Sequence, residues 1–322
     1  MRAGTMKLSV IMPCFNVAPF LNEALASLVR QTYGNLEILC IDDGSTDATP
    51  QILADFAAKD ARIRVISKQN TGYGDSVNIG LDRASGEYVC IFEPDDFIEP
   101  DMYEVLMRNA SEKHLDMSRC TFFDFCGGVD KPNECFGLPK GRLYRPRDPH
   151  DRSAFLQPPS VWSALYRKAW LDASGIRFLT TPGASFQDIS FAFKTNLAAE
   201  RCYAEERPLY HYRSHANNSV KSTGKVYAPS NEYAACLSYA RAHDLETAKA
   251  VFLDMEYASY KWNYLRIGEK DRRGFLRHWA EEWRGLLSEG FRFGCRRHAF
   301  YAALLLNAEP LFRLYLDSKA RH

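Results

Sequence analysis

The stretch EYVCIFEPDDFIEP, residues 87–100, runs an apolar segment directly into acid: Glu93, Asp95 and Asp96 fall within four positions, with Pro94 among them. Residues 88–92 read as a short buried β-strand. Like charges gathered where a chain leaves a hydrophobic core repel one another and are costly unless a cation lies beside them. Oxygen ligands with no Cys or His pair suit Mg2+ or Mn2+ rather than zinc. The competing reading is an exposed turn whose acids cap a helix over residues 102–108.

The segments before it have the same construction. Strands are expected over 8–12, 36–41 and 63–66. The helix expected over 19–31 carries Leu21, Leu25 and Leu28 on one face, and a second begins at Thr49-Pro50 with Thr49 as its N-cap. A third helix is expected over 75–84. Strands alternating with amphipathic helices predict an α/β fold, a mostly parallel sheet flanked by helices. In such sheets ligands bind outside the carboxyl ends of the strands. That rule brings four polar clusters to one edge: Pro13-Cys14-Phe15-Asn16, Asp42-Asp43-Gly44-Ser45, Asn70-Thr71-Gly72 and the carboxylates. Their shared position favours a metal–diphosphate site over a solvated turn. Asp43 has two readings, good turn chemistry or an acceptor for a nucleobase or ribose.

Beyond the carboxylates the pattern loosens. Residues 126–159 are rich in Gly, Pro and Arg and read as a long excursion, 161–171 reads as a helix with Trp162 and Tyr166 on one face, and the chain after Pro229 is helical nearly to its end. Trp162 and Tyr166 read as core before they read as a sugar-stacking pair. The 322 residues carry a net charge of +1, which leaves no electrostatic footprint for nucleic acid. Nine cysteines without a CxxC pair point to reduced thiols. No apolar run reaches the roughly 18 residues of a membrane span, and no signal-peptide core opens the chain, so a cytoplasmic protein is expected.

The segments SVIMPCFN, LEILCIDDGSTDAT, NTGYGDSVNIGL and ASGEYVCIFEPDDF, in this order, resemble the family 2 glycosyltransferases of the GT-A fold. The likeness continues through VWSALYRKAWLDASGIRF, SFQDISFAFK and LYHYRSHANNSV and covers roughly residues 7–222; the chain resembles bacterial enzymes that decorate teichoic acids, capsules and lipopolysaccharide. It implies inverting transfer of a sugar from a nucleotide-diphosphate donor, a UDP-sugar first, to a hydroxyl of a cell-envelope glycan or lipid-linked acceptor. It implies that Pro13 and Phe15 line the base pocket, that Asp43 bonds the base, and that Asn16, Asn70 and Gly72 belong to the donor site. It places Asp95 and Asp96 at the diphosphate with Mn2+ or Mg2+, Asp96 as direct ligand, and Asp188 as catalytic base. His211, as a further metal ligand, and Arg213, on the donor, lie where the family closes a loop over the diphosphate. Three departures stand out: Glu93-Pro94 for an Asp and a small residue, Gln187 for the usual Glu, and Ser76-Val77 for Ala-Arg. Two rivals remain open, a nucleotide-sugar binder without catalysis and a sugar nucleotidyltransferase, although the latter wants a glycine- and arginine-rich loop after the first strand.

The expected division is a catalytic domain over 1–225, with an acceptor-side excursion at about 126–222, and a helical region over 226–322. In the tail, Arg292, Arg296 and Arg297 accompany Phe300, Tyr301, Leu304, Leu305, Leu311, Phe312 and Leu314. Such a basic amphipathic segment packs on its own neighbours, joins a second copy of the chain, or lies peripherally on an anionic membrane. Packing is the first expectation.

Overall fold

The computed structural model describes residues 6–135, 137–184, 186–215 and 225–320. Ser185 of the SFQDISF motif and residues 216–220 of the HANNSV motif lie outside them. The chain divides into two compact units, Met1–Asn218 and Ser219–His322.

The first unit begins with β1 (Leu8–Cys14), α1 (Ala18–Val29), β2 (Leu36–Asp42), α2 (Thr49–Ala57), β3 (Ile63–Ser67), α3 (Tyr73–Arg83) and β4 (Tyr88–Ile91). Every residue of β1, β2 and β4 is buried, as strands covered on both faces require. These strands pair in parallel in the order β3-β2-β1-β4. The expected parallel sheet is this part. Thr49 lies inside α2 rather than capping it, because its Oγ1 accepts the Val17 N–H at 3.0 Å and ties α2 to the turn after β1.

The rest of the unit comprises β5 (Phe97–Ile98), α4 (Met102–Lys113), β6 (Met117–Cys126), β7 (Val129–Pro132), β8 (Leu143–Tyr144), β9 (Ala164–Arg167), α5 (Lys168–Ala173), α6 (Gln187–Ala198) and β10 (Cys202–Arg213). These strands continue the sheet as β4-β9-β6-β10-β5, with β9 antiparallel to both neighbours, so the whole sheet is mixed. The helix expected over 161–171 is therefore corrected. Val161–Ser163 makes one helical turn, Ala164–Arg167 is the strand that fills the gap between β4 and β6, and only Lys168–Ala173 is α-helix. Apolar spacing over so short a run fits either periodicity, and the unpaired edge of β4 decides it.

The segment between α5 and α6 is pinned against α3. Asn78 donates from Nδ2 to the Phe178 carbonyl and accepts the Phe178 N–H at Oδ1, both at 3.0 Å. At Gly72, with φ +104°, a Cβ would come within 2.9 Å of the Thr181 oxygen and Gly183 nitrogen. Only glycine fits there, and the close approach it permits delivers the start of α6 to the strand ends.

The second unit contains α7 (Ala228–His243), α8 (Leu245–Arg266), α9 (Glu269–Ser288), α10 (Arg296–Asn307) and α11 (Glu309–Ala320). Its core is aromatic, with Tyr260, Tyr264, Phe275, Trp279 and Trp283 fully buried. The tail segment divides between its readings. Leu305, Phe312 and Leu316 are packed, while Phe300, Leu311 and Leu314 are 60%, 58% and 67% exposed. No described helix is long and apolar enough to cross a membrane.

Candidate active site

Hydrogen bonds link the four strand ends into one edge. After β1, Asn16 donates its N–H to Ser45 Oγ at 3.1 Å and accepts the Thr46 N–H at Oδ1 at 2.8 Å. After β2, Asp43 accepts the Thr71 and Gly72 N–H groups, one on each carboxylate oxygen, both at 2.9 Å. Tyr73, the first residue of α3, donates its hydroxyl to Glu93 Oε1 at 2.6 Å.

These bonds give two residues structural roles. Asp43 is buried, bonded on both oxygens and ion-paired to Lys68, so it clamps the loop after β3. Asn16 sits at φ +52° and bridges the loops after β1 and β2. Phe15, at the same strand end, is 47% exposed and offers an aromatic face. Pro13 is buried in β1, Asn70 is exposed at the rim, and Gly72 serves the close approach described above.

The carboxylates divide by environment. Asp96 is 1% exposed; its Oδ2 accepts the Tyr210 hydroxyl at 2.8 Å and its Oδ1 accepts the Arg213 N–H at 2.7 Å. Burial, and then the nearby Asp95 charge, raise its pKa well above the usual carboxylate range. These two bonds make Asp96 an anchor that fixes the loop to β10. We expect Asp96→Ala to cost about 1–3 kcal/mol by stranding both donors, while Asp96→Asn, which keeps an acceptor for the amide, costs less. Thermal midpoints check this, and an Ala variant as stable as wild type removes the anchoring role.

Asp95 is the more open acid. Its Oδ2 lies 2.9 Å from His215 Nε2, and its side chain is 25% exposed. Glu93 is lifted to about 8, first by burial and then by Asp95. Asp188, in the first turn of α6, also acts on Glu93 and on Tyr73 electrostatically, so the structure brings it to this cluster. Burial pushes Asp188 up to about 6, opposed by backbone N–H groups at the helix start. Phe186, just before it, holds φ +69°, a costly backbone for a bulky residue and one that aims the helix start. Gln187 donates from Nε2 to Thr181 Oγ1 at 2.9 Å and the Gly183 carbonyl at 3.0 Å. A glutamate could not donate these bonds.

His211 is a correction. Strand alternation turns it to the face opposite Tyr210. Its Nδ1 lies 2.7 Å from Asp130 and its Nε2 3.0 Å from Glu99, with the ring stacked on Phe97 and Phe123. Both nitrogens are engaged away from Asp96. The imidazole at the carboxylates is His215, which sequence reasoning missed although it stands in the same motif. Arg213 is held by Glu23 at 2.5 Å and the Asp95 carbonyl at 2.8 Å, with Phe20, Phe97 and Phe125 around its guanidinium. It braces the carboxylate loop. Trp162 is also unlike its expected helical-core role: it is partly exposed and stacks on Tyr210 at 4.2 Å and Tyr212 at 5.4 Å. Tyr166 is core.

Among the described residues no group of three or more His, Cys, Asp or Glu is placed to hold a metal. Asp95 with His215 nonetheless makes an oxygen–nitrogen donor pair of the kind Mn2+ accepts, and such ions are commonly completed by substrate phosphates.

The fold is that of the GT-A glycosyltransferases. The solved structure of S. aureus TarS 1-349 in complex with UDP-GlcNAc matches at a TM-score of 0.70 and 22% identity, covering 86% of this chain and 80% of that one. The mannosyltransferase PcManGT from Pyrobaculum calidifontis, in complex with GDP-Man and Mn2+, matches at 0.55 and 16%, covering 98% and 88%. Residues 9–173 match Glycosyl transferase family 2, and the chain belongs to that family. The uncharacterized glycosyltransferase YibD of Escherichia coli is 32% identical over 235 residues, 68% of this chain; the match spans 64% of YibD, slightly under two thirds of its length.

Proposed function

We propose that the first unit transfers a sugar, with inversion, from a UDP-sugar to a hydroxyl of a cell-envelope glycan or lipid-linked acceptor. The observation that carries this reading is the approach of Asp188, lifted to about 6, to the Glu93–Asp95 cluster at the strand ends. Asp188 accepts the proton of the acceptor hydroxyl as that oxygen bonds the anomeric carbon and the bond to the diphosphate oxygen breaks. Phe15 stacks on the base, with Pro13 behind it and Asn70 at the rim. Asp95 and His215 are the residues that would hold a divalent cation, Mn2+ or Mg2+, and such an ion would neutralise charge on the departing diphosphate. Asp96, Arg213 and Tyr210 keep that loop in place.

Incubation with a panel of nucleotide sugars, Mn2+ and candidate acceptors tests the reading by release of nucleoside diphosphate. Pyrophosphate in its place identifies a nucleotidyltransferase, and donor binding without release identifies a binder. A peripheral membrane contact belongs to the same proposal, supported by exposed Phe300, Leu311 and Leu314 on helices that also carry Arg296, Arg297, Arg313 and Lys319. The full chain is expected to co-sediment with anionic vesicles. A concentration-dependent mass in solution without vesicle binding favours self-association instead.

A further inference from the structure

The second unit holds a pocket that the transfer reaction does not use. Tyr257 and Lys261 of α8, Arg297 and Tyr301 of α10, and Tyr315 and Lys319 of α11 line a cavity of about 310 Å³. The rings are layered, Tyr301 lying nearly parallel to Tyr257 at 5.8 Å and to Tyr315 at 4.4 Å. Lys261 Nζ stands 5.9 Å from the centre of the Tyr315 ring.

Its charge is one-sided. Three cations and no carboxylate line it, and none of the three forms an ion pair among the described residues. The nearby acids are engaged elsewhere: Asp317 by Arg272 and Arg313, and Asp254 by His298. Tyr257 is 4% exposed; Tyr315 interacts with its hydroxyl, with Tyr301 and with Lys261, while Arg297 and Lys319 are exposed at the mouth. Like charges gathered round one opening with no carboxylate among them repel one another, and a bound anion relieves that repulsion.

We propose that this pocket binds a phosphate ester carried on a sugar or polyol. A guanidinium and two ammonium groups match the charge and several acceptor oxygens of a phosphate. The tyrosine faces cover the apolar side of the attached carbon skeleton, and the volume is that of a small ligand site. The pocket stands independently of the transfer reading, since all its residues lie in the second unit. The phosphate could be carried by a soluble phosphoglycan or by the headgroup of an anionic lipid.

Calorimetric titration of the full chain with glycerol 3-phosphate tests the pocket, with co-sedimentation on phosphatidylglycerol and phosphatidylcholine vesicles as a second arm. The expected result is saturable binding that falls at least tenfold in Lys261→Ala/Arg297→Ala, falls in the near-isosteric Tyr257→Phe, and persists in Asp95→Ala. Binding to phosphatidylglycerol vesicles alone, lost in the double variant, identifies a lipid headgroup as the source. No binding in either arm overturns the proposal. So does glycerol 3-phosphate binding that the double variant keeps, or that Asp95→Ala removes.

Discussion

Asp188→Asn is expected to keep donor affinity and to lose about a hundred- to ten-thousand-fold in transfer, the usual contribution of a general base. The amide fills the same space at the start of α6 but cannot accept the acceptor's proton, so the loss falls on turnover. The wild-type pH profile supplies a second check. Burial raises the Asp188 carboxyl to about 6, and the working form is the ionised one. Turnover should therefore climb as pH rises through about 6 and level off above it. The residual activity of Asp188→Asn should lack that limb. Near-normal turnover in the variant, or a profile flat through this range in the wild type, assigns the proton to another group.

Asp95→Ala is the second large effect. Calorimetric titration with UDP should show affinity enhanced by Mn2+ in the wild type, and the variant should lose that enhancement by about a hundredfold or more. Even residues that only support a metal ligand typically contribute ten- to a hundredfold. The fold should survive, because Arg213 is held through the Asp95 carbonyl, which alanine retains. His215→Ala should act in the same direction. A folded Asp95→Ala protein with an unchanged Mn2+ response would move the metal elsewhere.

The parallel core was legible in the sequence because β1, β2 and β4 are buried on both faces and read as unbroken apolar runs bounded by turn residues. The meeting of four polar clusters at one edge followed from that topology. Side-chain assignments were harder. Asp95 and Asp96 are neighbours in sequence, and only the fold shows that one carboxylate is bonded twice to β10 while the other faces His215. His211 and His215 stand four positions apart. What separates them is the end of β10: His211 still obeys the strand's alternation and turns to the far face, whereas His215 lies two residues past the strand's end at Arg213. Gln187 was read as a lost acid, although its amide holds residues 181–183. Residues 161–171 were misread because Ala164–Arg167 becomes a strand only through partners distant in sequence.

The bond from Asp96 to position 213 runs to a main-chain amide, not to the arginine side chain. Every amino acid but proline supplies that donor. The bond to Asp96 therefore survives any other side chain at 213, whereas the brace that the guanidinium adds through the Asp95 carbonyl is lost with the arginine. Proline at 213 removes both supports at once, the amide donor and the guanidinium.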